Sequence, residues 1–255
     1  MNENKRLFVL PCRFDPDFPI IFEAVERIRK FHPQDDILVV DSDSSDVGYA
    51  DVLKNNGVKV ALIKNKNYDS GAYWWAYKHF YSEYDFFFFL HDSLLLKKNI
   101  EQFAKKGFFS VGYFYHHAGV GNIYSYKKPL AKYILSELLR KIKGIKSKAT
   151  FLGFDNKYQL EWVKARFAEQ NVALPDRFVS LFGPMMGIET SLLKELDELG
   201  LSKIQPESKI EQQAMERVWG VFLGLLGQDL VSNSIRGDFR FPEEEYVEKK
   251  FLVRS

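Results

Sequence analysis

Short apolar runs alternate with amphipathic segments through the first ninety residues of the chain. The runs are typical of strands buried on both faces, and between them apolar residues recur at helical spacing. Strands that alternate with helices indicate βαβ units and therefore a mostly parallel sheet. The predicted strands are residues 7–10, 37–40, 58–63 and 85–90, and the predicted helices are residues 19–31, 49–55 and 70–82.

The second half of the chain has a less regular pattern. No internal repeat or low-complexity linker marks a domain boundary, so we expect a single domain. The predicted strands are residues 108–115 and 179–188, and the predicted helices are residues 129–148, 156–171, 191–199 and 210–226. The last stretch, residues 237–255, is highly charged, and we expect it to form a loosely attached tail.

One run in this pattern is unusually apolar. It reads FFFFLHDSLLL over residues 86–96 and is interrupted only by His91, Asp92 and Ser93. A membrane-spanning helix needs about 20 apolar residues, so the run is too short to cross a bilayer. A strand buried on both faces fits it, and such a strand would carry Asp92 to its carboxyl end. Open α/β sheets bind ligands at that edge, so Asp92 is a candidate functional residue as well as a candidate turn residue.

Composition narrows the class of protein. The chain has 255 residues, of which 46% are apolar and 27% charged, as in an ordinary globular protein with a sizeable core. A net charge of +2 argues against a dedicated nucleic-acid binder. The single cysteine, Cys12, excludes a disulfide within the chain and fits a reducing compartment. The sequence predicts no signal peptide and no membrane span, and we expect a cytoplasmic protein.

Four polar segments follow the predicted elements in a fixed order. PCR ends the first strand (11–13), DSDSSD follows the second (41–46), NKNYDSGA opens the third helix (65–72) and HDS follows the apolar strand (91–93). This succession resembles the nucleotide-sugar-binding half of a GT-A glycosyltransferase, in the broad manner of the large inverting family that includes the cellulose and hyaluronan synthases. The likeness covers residues 7–93 well and the remainder loosely.

The resemblance implies a fold and an activity. The fold would be a GT-A, Rossmann-like α/β domain over residues 1–255, with a mostly parallel central sheet and flanking helices. Residues 1–95 would bind the nucleotide sugar, 96–236 would form the acceptor side and 237–255 the tail. The activity would be transfer of a hexose or deoxyhexose, with inversion, from a UDP- or dTDP-sugar to a hydroxyl of a glycan or lipid-linked acceptor, as in polysaccharide biosynthesis.

The resemblance also implies residues that contact the nucleoside. Pro11 and Arg13 would lie beside the base, and Asp41 would accept hydrogen bonds from the base or the ribose. Asp43 is a second candidate for that role. In dinucleotide-binding sites, a carboxylate at the carboxyl end of a strand accepts hydrogen bonds from ribose hydroxyl groups in this way. The alternative interpretation is that Asp41 only caps the following turn.

A further set of residues would approach the diphosphate. Asn67, Gly71 and Ala72 match the family's loop before the third helix. There the glycine lets the backbone come close to the ligand, and the N–H groups at the helix start favour negative charge. The alternative is an ordinary helix start capped by Asp69 or Ser70.

His91-Asp92-Ser93 would take the place of the family's Asp-x-Asp signature, which holds Mn²⁺ or Mg²⁺ between the two phosphates. Such ions prefer oxygen ligands and use only one or two protein carboxylates. This chain offers one carboxylate, so Asp92 would bind the metal alone or through water, with His91 assisting Mn²⁺. Without a metal, cationic side chains would have to offset the diphosphate charge, and Arg236 and Arg240 are candidates.

A catalytic base is expected on the predicted helix 210–226. In an inverting transfer a carboxylate deprotonates the acceptor hydroxyl as it attacks the anomeric carbon. Counting back from Gly227 favours Glu216, whereas the start of the helix favours Glu211. Under the alternative interpretation, both are surface glutamates in helical ion pairs.

The segment SLFGPMMGIET would line the acceptor side. Gly183 and Gly187 would allow close approach of a sugar, and Met185 and Met186 would form an adaptable apolar wall. A buried, bent strand is the alternative. Trp219 would stack on a sugar ring or lie in the core.

The basic residues of 127–148 indicate either a solvated helix face or peripheral contact with an anionic membrane.

Other functions fit less of the sequence. A sugar nucleotidyltransferase shares the overall architecture, and a SAM-dependent methyltransferase also places an acid after the second strand. Both usually have a glycine-rich loop after the first strand, which PCRFDPDF lacks. A non-catalytic sugar-nucleotide-binding module remains an alternative because the Asp-x-Asp signature is incomplete.

Overall fold

The computed structural model describes residues 5–120, 152–238 and 245–250. The strands are Arg6–Cys12 (β1), Asp36–Asp41 (β2), Lys59–Leu62 (β3), Phe86–Phe89 (β4), Leu94–Leu96 (β5), Phe108–Ser110 (β6), Tyr113–Val120 (β7), Leu152–Phe154 (β8), Arg177–Leu181 (β9), Met186–Glu189 (β10) and Val247–Lys249 (β11). The helices are Ile20–Phe31 (α1), Gly48–Asn55 (α2), Tyr68–Phe80 (α3), Glu101–Ala104 (α4), Lys157–Glu169 (α5), Thr190–Glu198 (α6) and Lys209–Leu225 (α7).

The centre of the fold is a six-stranded sheet with the order β3-β2-β1-β4-β10-β6. Neighbouring strands from β3 to β4 run parallel, and β10 runs antiparallel to both β4 and β6. The predicted α/β fold with a mostly parallel sheet is therefore confirmed. The strand order reverses between β1 and β4, which makes their carboxyl ends the position where doubly wound sheets bind ligands.

Helices cover both faces of this sheet. Alternate residues of β1 point to opposite sides, so Leu7 and Val9 pack with α3, α5, α6 and α7, whereas Phe8 and Leu10 pack with α1 and α2. All four side chains are completely buried. Burial on both faces explains why the strands appear in the sequence as unbroken apolar runs.

Two predicted strands are each divided between two sheets. The prediction of one strand over 179–188 is wrong, because β9 and β10 are separated by a turn at Gly183, whose φ is +56°. The prediction over 108–115 is wrong in the same way, since β6 belongs to the central sheet and β7 to a second sheet with the order β8-β7-β9. In both cases the chain crosses between sheets within a continuous apolar run, so hydrophobicity gave no signal of the break.

The C-terminal segment is not loosely attached where the structure describes it. Residues 247–249 form β11, which pairs antiparallel with β5, and Val247 is completely buried. The pairing corrects the expectation for this part of the tail. The predicted basic helix 129–148 lies outside the described residues, so its contact with a membrane stays a prediction. None of the helices in the described part of the chain combines the length and the apolar character needed to cross a bilayer.

Candidate functional site

Asp41 and Asp92 lie at the same edge of the central sheet. Asp41 is the last residue of β2 and pairs with Cys12, the last residue of β1. Asp92 follows β4 on the other side of β1, and the Leu90 N–H donates to the Val9 carbonyl oxygen at 3.2 Å. Because β2 and β4 flank β1, the two strands are about 10 Å apart at ordinary strand spacing. The structure therefore brings the two carboxylates to one rim, as the resemblance required.

Asp41 organises the loop that follows β2. Its Oδ1 accepts from the Ser44 N–H at 3.1 Å, its Oδ2 accepts from the Tyr49 hydroxyl at 2.8 Å, and the residue is 2% exposed. The turn-capping role weighed from the sequence is thus present. A carboxylate oxygen has two lone pairs, so each oxygen can accept one further hydrogen bond. The nucleoside role of Asp41 stays a prediction.

The loop after β1 contains an aromatic pair that the sequence analysis did not identify. The Phe14 ring stacks on Tyr49 with 4.5 Å between the centroids, and the Phe14 N–H donates to Ser44 Oγ at 2.7 Å. Arg13, in this loop, and Asp43, in the loop after β2, are both exposed. Asp43 has a φ of +64°. Phe14 follows closely on the carboxyl end of β1, whereas Tyr49 lies on α2, so no local pattern in the sequence links the two residues.

The loop before α3 connects the acidic loop to the centre of the site. Asn65 Nδ2 lies 3.4 Å from Ser42 Oγ, and its Oδ1 accepts from the Asn67 N–H at 3.0 Å. Asn67 Nδ2 donates to the Pro206 carbonyl at 3.0 Å. A Cβ on Gly71 would lie 2.4 Å from Asn65 Oδ1, so this loop itself requires the glycine.

Two residues of the predicted donor site lie inside the protein. Ala72 is completely buried in the core beneath α3, which corrects its prediction as a ligand contact. Pro11 is also buried, as part of β1.

His91, Asp92 and Ser93 form a network with two residues from distant parts of the chain. His91 Nε2 lies 2.9 Å from Asp69 Oδ2. Lys249, at the end of β11, places its Nζ 3.0 Å from His91 Nδ1 and 2.6 Å from Ser93 Oγ. Asp92 itself is 7% exposed.

Neither Asp69 nor Lys249 was predicted as a site residue. Burial raises the pKa of Asp69, but the neighbouring His91, the positive charge of Lys249 and a hydrogen bond from Gln212 outweigh it, so the pKa lies below its ordinary value. Asp69 is therefore ionised at neutral pH.

Glu216 is connected to this network through the turn at Gly183. Its Oε1 accepts from the Gly183 N–H at 3.1 Å, and a Cβ on Gly183 would lie 2.7 Å from His91 Cε1. One helical turn earlier on α7, Gln212 donates to Asp69 Oδ2 at 3.2 Å. Residues four apart share a helix face, so this face of α7 contacts the end of β4.

The environment of Glu216 shifts its ionisation towards neutral pH. Burial is the main cause, and the nearby carboxylates of Asp155 and Asp69 add to it, against the opposing charge of Arg217 and the Gly183 N–H. Together these raise the pKa of Glu216 to about 7. A carboxyl with a pKa near the working pH is suited to general base catalysis.

Glu211, the other candidate base, has a structural role. It forms a capping box with Ser208 at the start of α7, and its Oε2 accepts from the N–H groups of Glu207 and Ser208 at 2.7 and 3.2 Å. Its Oε1 accepts from the Tyr158 hydroxyl. Because Oε2 caps the start of α7 and Oε1 is bound by Tyr158 of α5, the structure corrects the prediction of Glu211 as a base, and the base role of Glu216 stays a prediction.

Several predicted acceptor-side residues belong to the core. Met185 and Met186 are completely buried, and a Cβ on Gly187 would lie 2.1 Å from the Phe109 ring. These positions therefore pack strands together and do not form a wall for a sugar. Trp219 is also completely buried and stacks on Trp74 at 5.4 Å, which settles its alternatives in favour of the core.

Arg236 lies near the same sheet edge. The backbone N–H of Arg236 donates at 2.9 Å to the carbonyl oxygen of Val111, which lies one residue beyond the carboxyl end of β6. Arg236 is 1% exposed. Since β6 runs parallel to β4, this end of β6 faces the same way as Asp92. A role for Arg236 in binding the donor stays a prediction, and Arg240 lies outside the described residues.

The described residues do not fit a divalent cation at Asp92. His91 has a partner at each ring nitrogen, and Asp92 is the one carboxylate of the motif. Within residues 5–120, 152–238 and 245–250, no group of three or more His, Cys, Asp or Glu side chains is arranged to hold a metal. The prediction of Mn²⁺ or Mg²⁺ at Asp92 is therefore not supported by the donor set of the described residues.

The sequence matches no protein-family model and no curated protein. Solved structures similar to this chain include S. aureus TarS 1–349 in complex with UDP (15% identity, TM-score 0.41, covering 82% of this chain and 53% of that one). Another is the core-mannan synthase CmsA/Ktr4 from Aspergillus fumigatus in its Mn/GDP form (8% identity, TM-score 0.41, covering 88% and 70%). A third is the bifunctional glycosyltransferase WbbM (12% identity, TM-score 0.43, covering 86% and 38%).

This chain spans about half the length of the TarS 1–349 structures. All these identities are low and the TM-scores stay below 0.5. The fold described above therefore rests on the strand order and register of this chain, which form a Rossmann-like α/β sheet with its candidate site at the carboxyl edge of β1, β2 and β4.

Proposed function

We propose that the chain is a glycosyltransferase that binds a nucleoside diphosphate sugar at the carboxyl edge of β1, β2 and β4. The observation that carries this proposal is a continuous series of contacts along that edge. Ser42 of the acidic loop contacts Asn65, Asp69 contacts His91, and His91 lies against the Gly183 turn that holds Glu216. This series supports an arrangement in which a nucleoside site, a diphosphate site and a base would follow one another in the order that a sugar-transfer reaction needs.

The chemistry follows from this order. Glu216, in its ionised form, would take the proton of an acceptor hydroxyl as that oxygen bonds to the anomeric carbon. The bond from the anomeric carbon to the diphosphate oxygen would break, and the nucleoside diphosphate would leave with its electron pair. Positive charge and N–H groups near Asp92 would stabilise that leaving group. Attack from the side opposite the leaving group would invert the anomeric centre.

The donor and acceptor are proposed only by class. A UDP- or dTDP-sugar as donor, and a glycan or lipid-linked hydroxyl as acceptor, fit a reaction of this kind in the cytoplasm. Under the non-catalytic alternative, Glu216 would serve only to hold the Gly183 turn through its hydrogen bond.

A nucleotide sugar is expected to raise the thermal stability of the protein, because a ligand that binds only the folded state stabilises it. The measurement is a thermal shift against UDP-, dTDP- and GDP-sugars, followed by hydrolysis or transfer assays with any sugar that binds. A shift with S-adenosylmethionine alone would contradict the proposal. Binding with neither hydrolysis nor transfer would indicate a binding module.

Activity is expected to rise with pH through neutrality. Because the pKa of Glu216 is raised to about 7, the carboxyl is mostly protonated below that pH and cannot accept a proton. The value of kcat/KM should therefore increase about tenfold per pH unit on the acid side and level off above roughly pH 8. Initial rates across this range check the prediction, and a flat profile between about pH 5.5 and 8 would contradict it.

A further inference from the structure

The C-terminal strand places a lysine ammonium against the motif after β4. Lys249 pairs with Leu94 in the β11–β5 ladder, and the Lys250 N–H donates to the Ser93 carbonyl at 3.0 Å. Two backbone pairings thus hold the segment beside the motif. The Lys249 ammonium then contacts both residues that flank Asp92, at 3.0 Å from His91 Nδ1 and 2.6 Å from Ser93 Oγ.

These contacts define the state of His91. An ammonium group has donors and no acceptor, so His91 Nδ1 must accept the hydrogen bond from Lys249. The proton of a neutral imidazole then lies on Nε2, which faces Asp69 Oδ2 at 2.9 Å. The single lone pair of the neutral ring, on Nδ1, is thereby directed at Lys249, so His91 has no lone pair directed at a metal ion.

A diphosphate bound at this edge would need a neighbouring positive charge. Asp69 is ionised and would repel a diphosphate brought to the end of β4. Lys249 is close enough to Asp69 for its charge to lower the pKa of that carboxyl. Lys249 is also partly exposed. Lysine is a common ligand of phosphate, which it binds as a point charge.

Resting on the proposed function, we propose that Lys249 supplies the positive charge at the diphosphate of the donor, so that the chain binds nucleoside diphosphates without a divalent cation. His91 and Ser93 then serve to position the Lys249 ammonium, and Asp69 fixes the tautomer of His91. In the transfer reaction this ammonium would remain close to the departing diphosphate and stabilise its charge. In this interpretation the His91-Asp92-Ser93 motif holds a lysine ammonium in place of a metal ion.

The test is calorimetric titration of the full chain with UDP, dTDP and GDP, each in EDTA and in Mn²⁺. Wild type is expected to bind one of these nucleotides with the same affinity in both conditions. Lys249→Met should weaken that binding roughly 10- to 100-fold, the loss expected for one charge-assisted hydrogen bond to phosphate. Affinity for the matching nucleoside, which has no phosphate, should not change.

Lys250→Met is the matched control. Lys250 is the neighbouring residue, but its Nζ pairs with Glu23 Oε2 at 2.6 Å and not with the motif. This variant should bind the nucleotide as wild type does. Lys249→Arg keeps the charge and should retain most of the affinity, so it separates loss of charge from a failure of Lys249→Met to fold.

The outcomes separate the two proposals. If wild type binds the nucleotide only when Mn²⁺ is present, or if Lys249→Met binds as tightly as wild type, the role of Lys249 is refuted and the glycosyltransferase proposal stands. If wild type binds no nucleoside diphosphate and no nucleotide sugar in either condition, both are refuted.

Discussion

Glu216→Gln is expected to lower kcat by about 10²- to 10⁴-fold, the contribution typical of a general base. Glutamine keeps the side-chain oxygen that accepts from the Gly183 N–H, so the turn beside His91 should stay in place. It cannot take a proton from an acceptor hydroxyl. The Kd of the nucleotide sugar should therefore be unchanged while turnover is lost, which titration and initial-rate measurements together would show.

Glu211→Gln is the control on the same helix. Glu211 is the N3 residue of the capping box at the start of α7, so the loss of its negative charge should lower the free energy of unfolding by about 0.3–1 kcal/mol and leave kcat close to wild type. Loss of turnover in Glu211→Gln together with normal turnover in Glu216→Gln would show that the base has been assigned to the wrong residue.

The same substitution at Glu216 should also change stability, with a sign set by the shifted pKa. The pKa of Glu216 is about 7 in the folded protein, against an ordinary value of 4.5. As pH rises between these values the unfolded chain loses the proton first, so this carboxyl lowers the free energy of unfolding. Above about pH 7 Glu216→Gln should therefore be more stable than wild type, on the order of 1–3 kcal/mol. Urea unfolding of the two proteins should converge near pH 4.5.

Gly220→Ala is expected to lower the free energy of unfolding by about 1–3 kcal/mol, the usual cost of forcing extra atoms into a packed core. Gly220 lies where α7 crosses β9, and a Cβ there would be 2.2 Å from the Val179 carbonyl oxygen and 2.6 Å from Ser180 Cα. Both are backbone atoms, so helix and strand would have to separate. Because Glu216 lies one turn earlier on α7, kcat should fall as well.

Gly224→Ala provides the matched comparison one turn later on α7. No heavy atom lies within 4 Å of a Cβ at that position. The substitution should therefore raise the free energy of unfolding by about 0.5–1 kcal/mol through the better helix propensity of alanine. Chemical unfolding of both variants gives the comparison, and equal effects at the two positions would contradict the packing described for Gly220.

The residues of the site that directly follow the apolar strands could be predicted from the sequence. Each of the first four strands is an apolar run long enough to identify, and the residues after a strand in a parallel sheet lie at its carboxyl edge. Asp41 and Asp92 could therefore be placed on one rim from the sequence. The resemblance added the interpretation of that rim as a nucleotide-sugar site and the choice of α7 for the base.

The remaining parts of the site had no local signal. Glu211 and Glu216 are both glutamates on one amphipathic helix, and only the positions of Ser208 and Gly183 show which of them caps the helix and which faces the site. Gly71 and Gly187 suggested ligand approach, but each is required by a neighbouring side chain, Asn65 and Phe109 respectively. A glycine in a sequence indicates that space is limited and does not indicate what occupies it.

The sequence by itself determined the alternation of strands and helices, the parallel character of the sheet and the edge at which Asp92 emerges, because hydrophobic periodicity is a local property of the chain. Tertiary structure alone decided where the apolar runs near Gly183 and Gly112 divide between sheets, and that Lys249 reaches His91 across 158 positions of sequence. Strand pairing at such separation depends on the packing of the whole domain. A single lysine in a charged segment therefore gave no indication that it would lie at the centre of the candidate site.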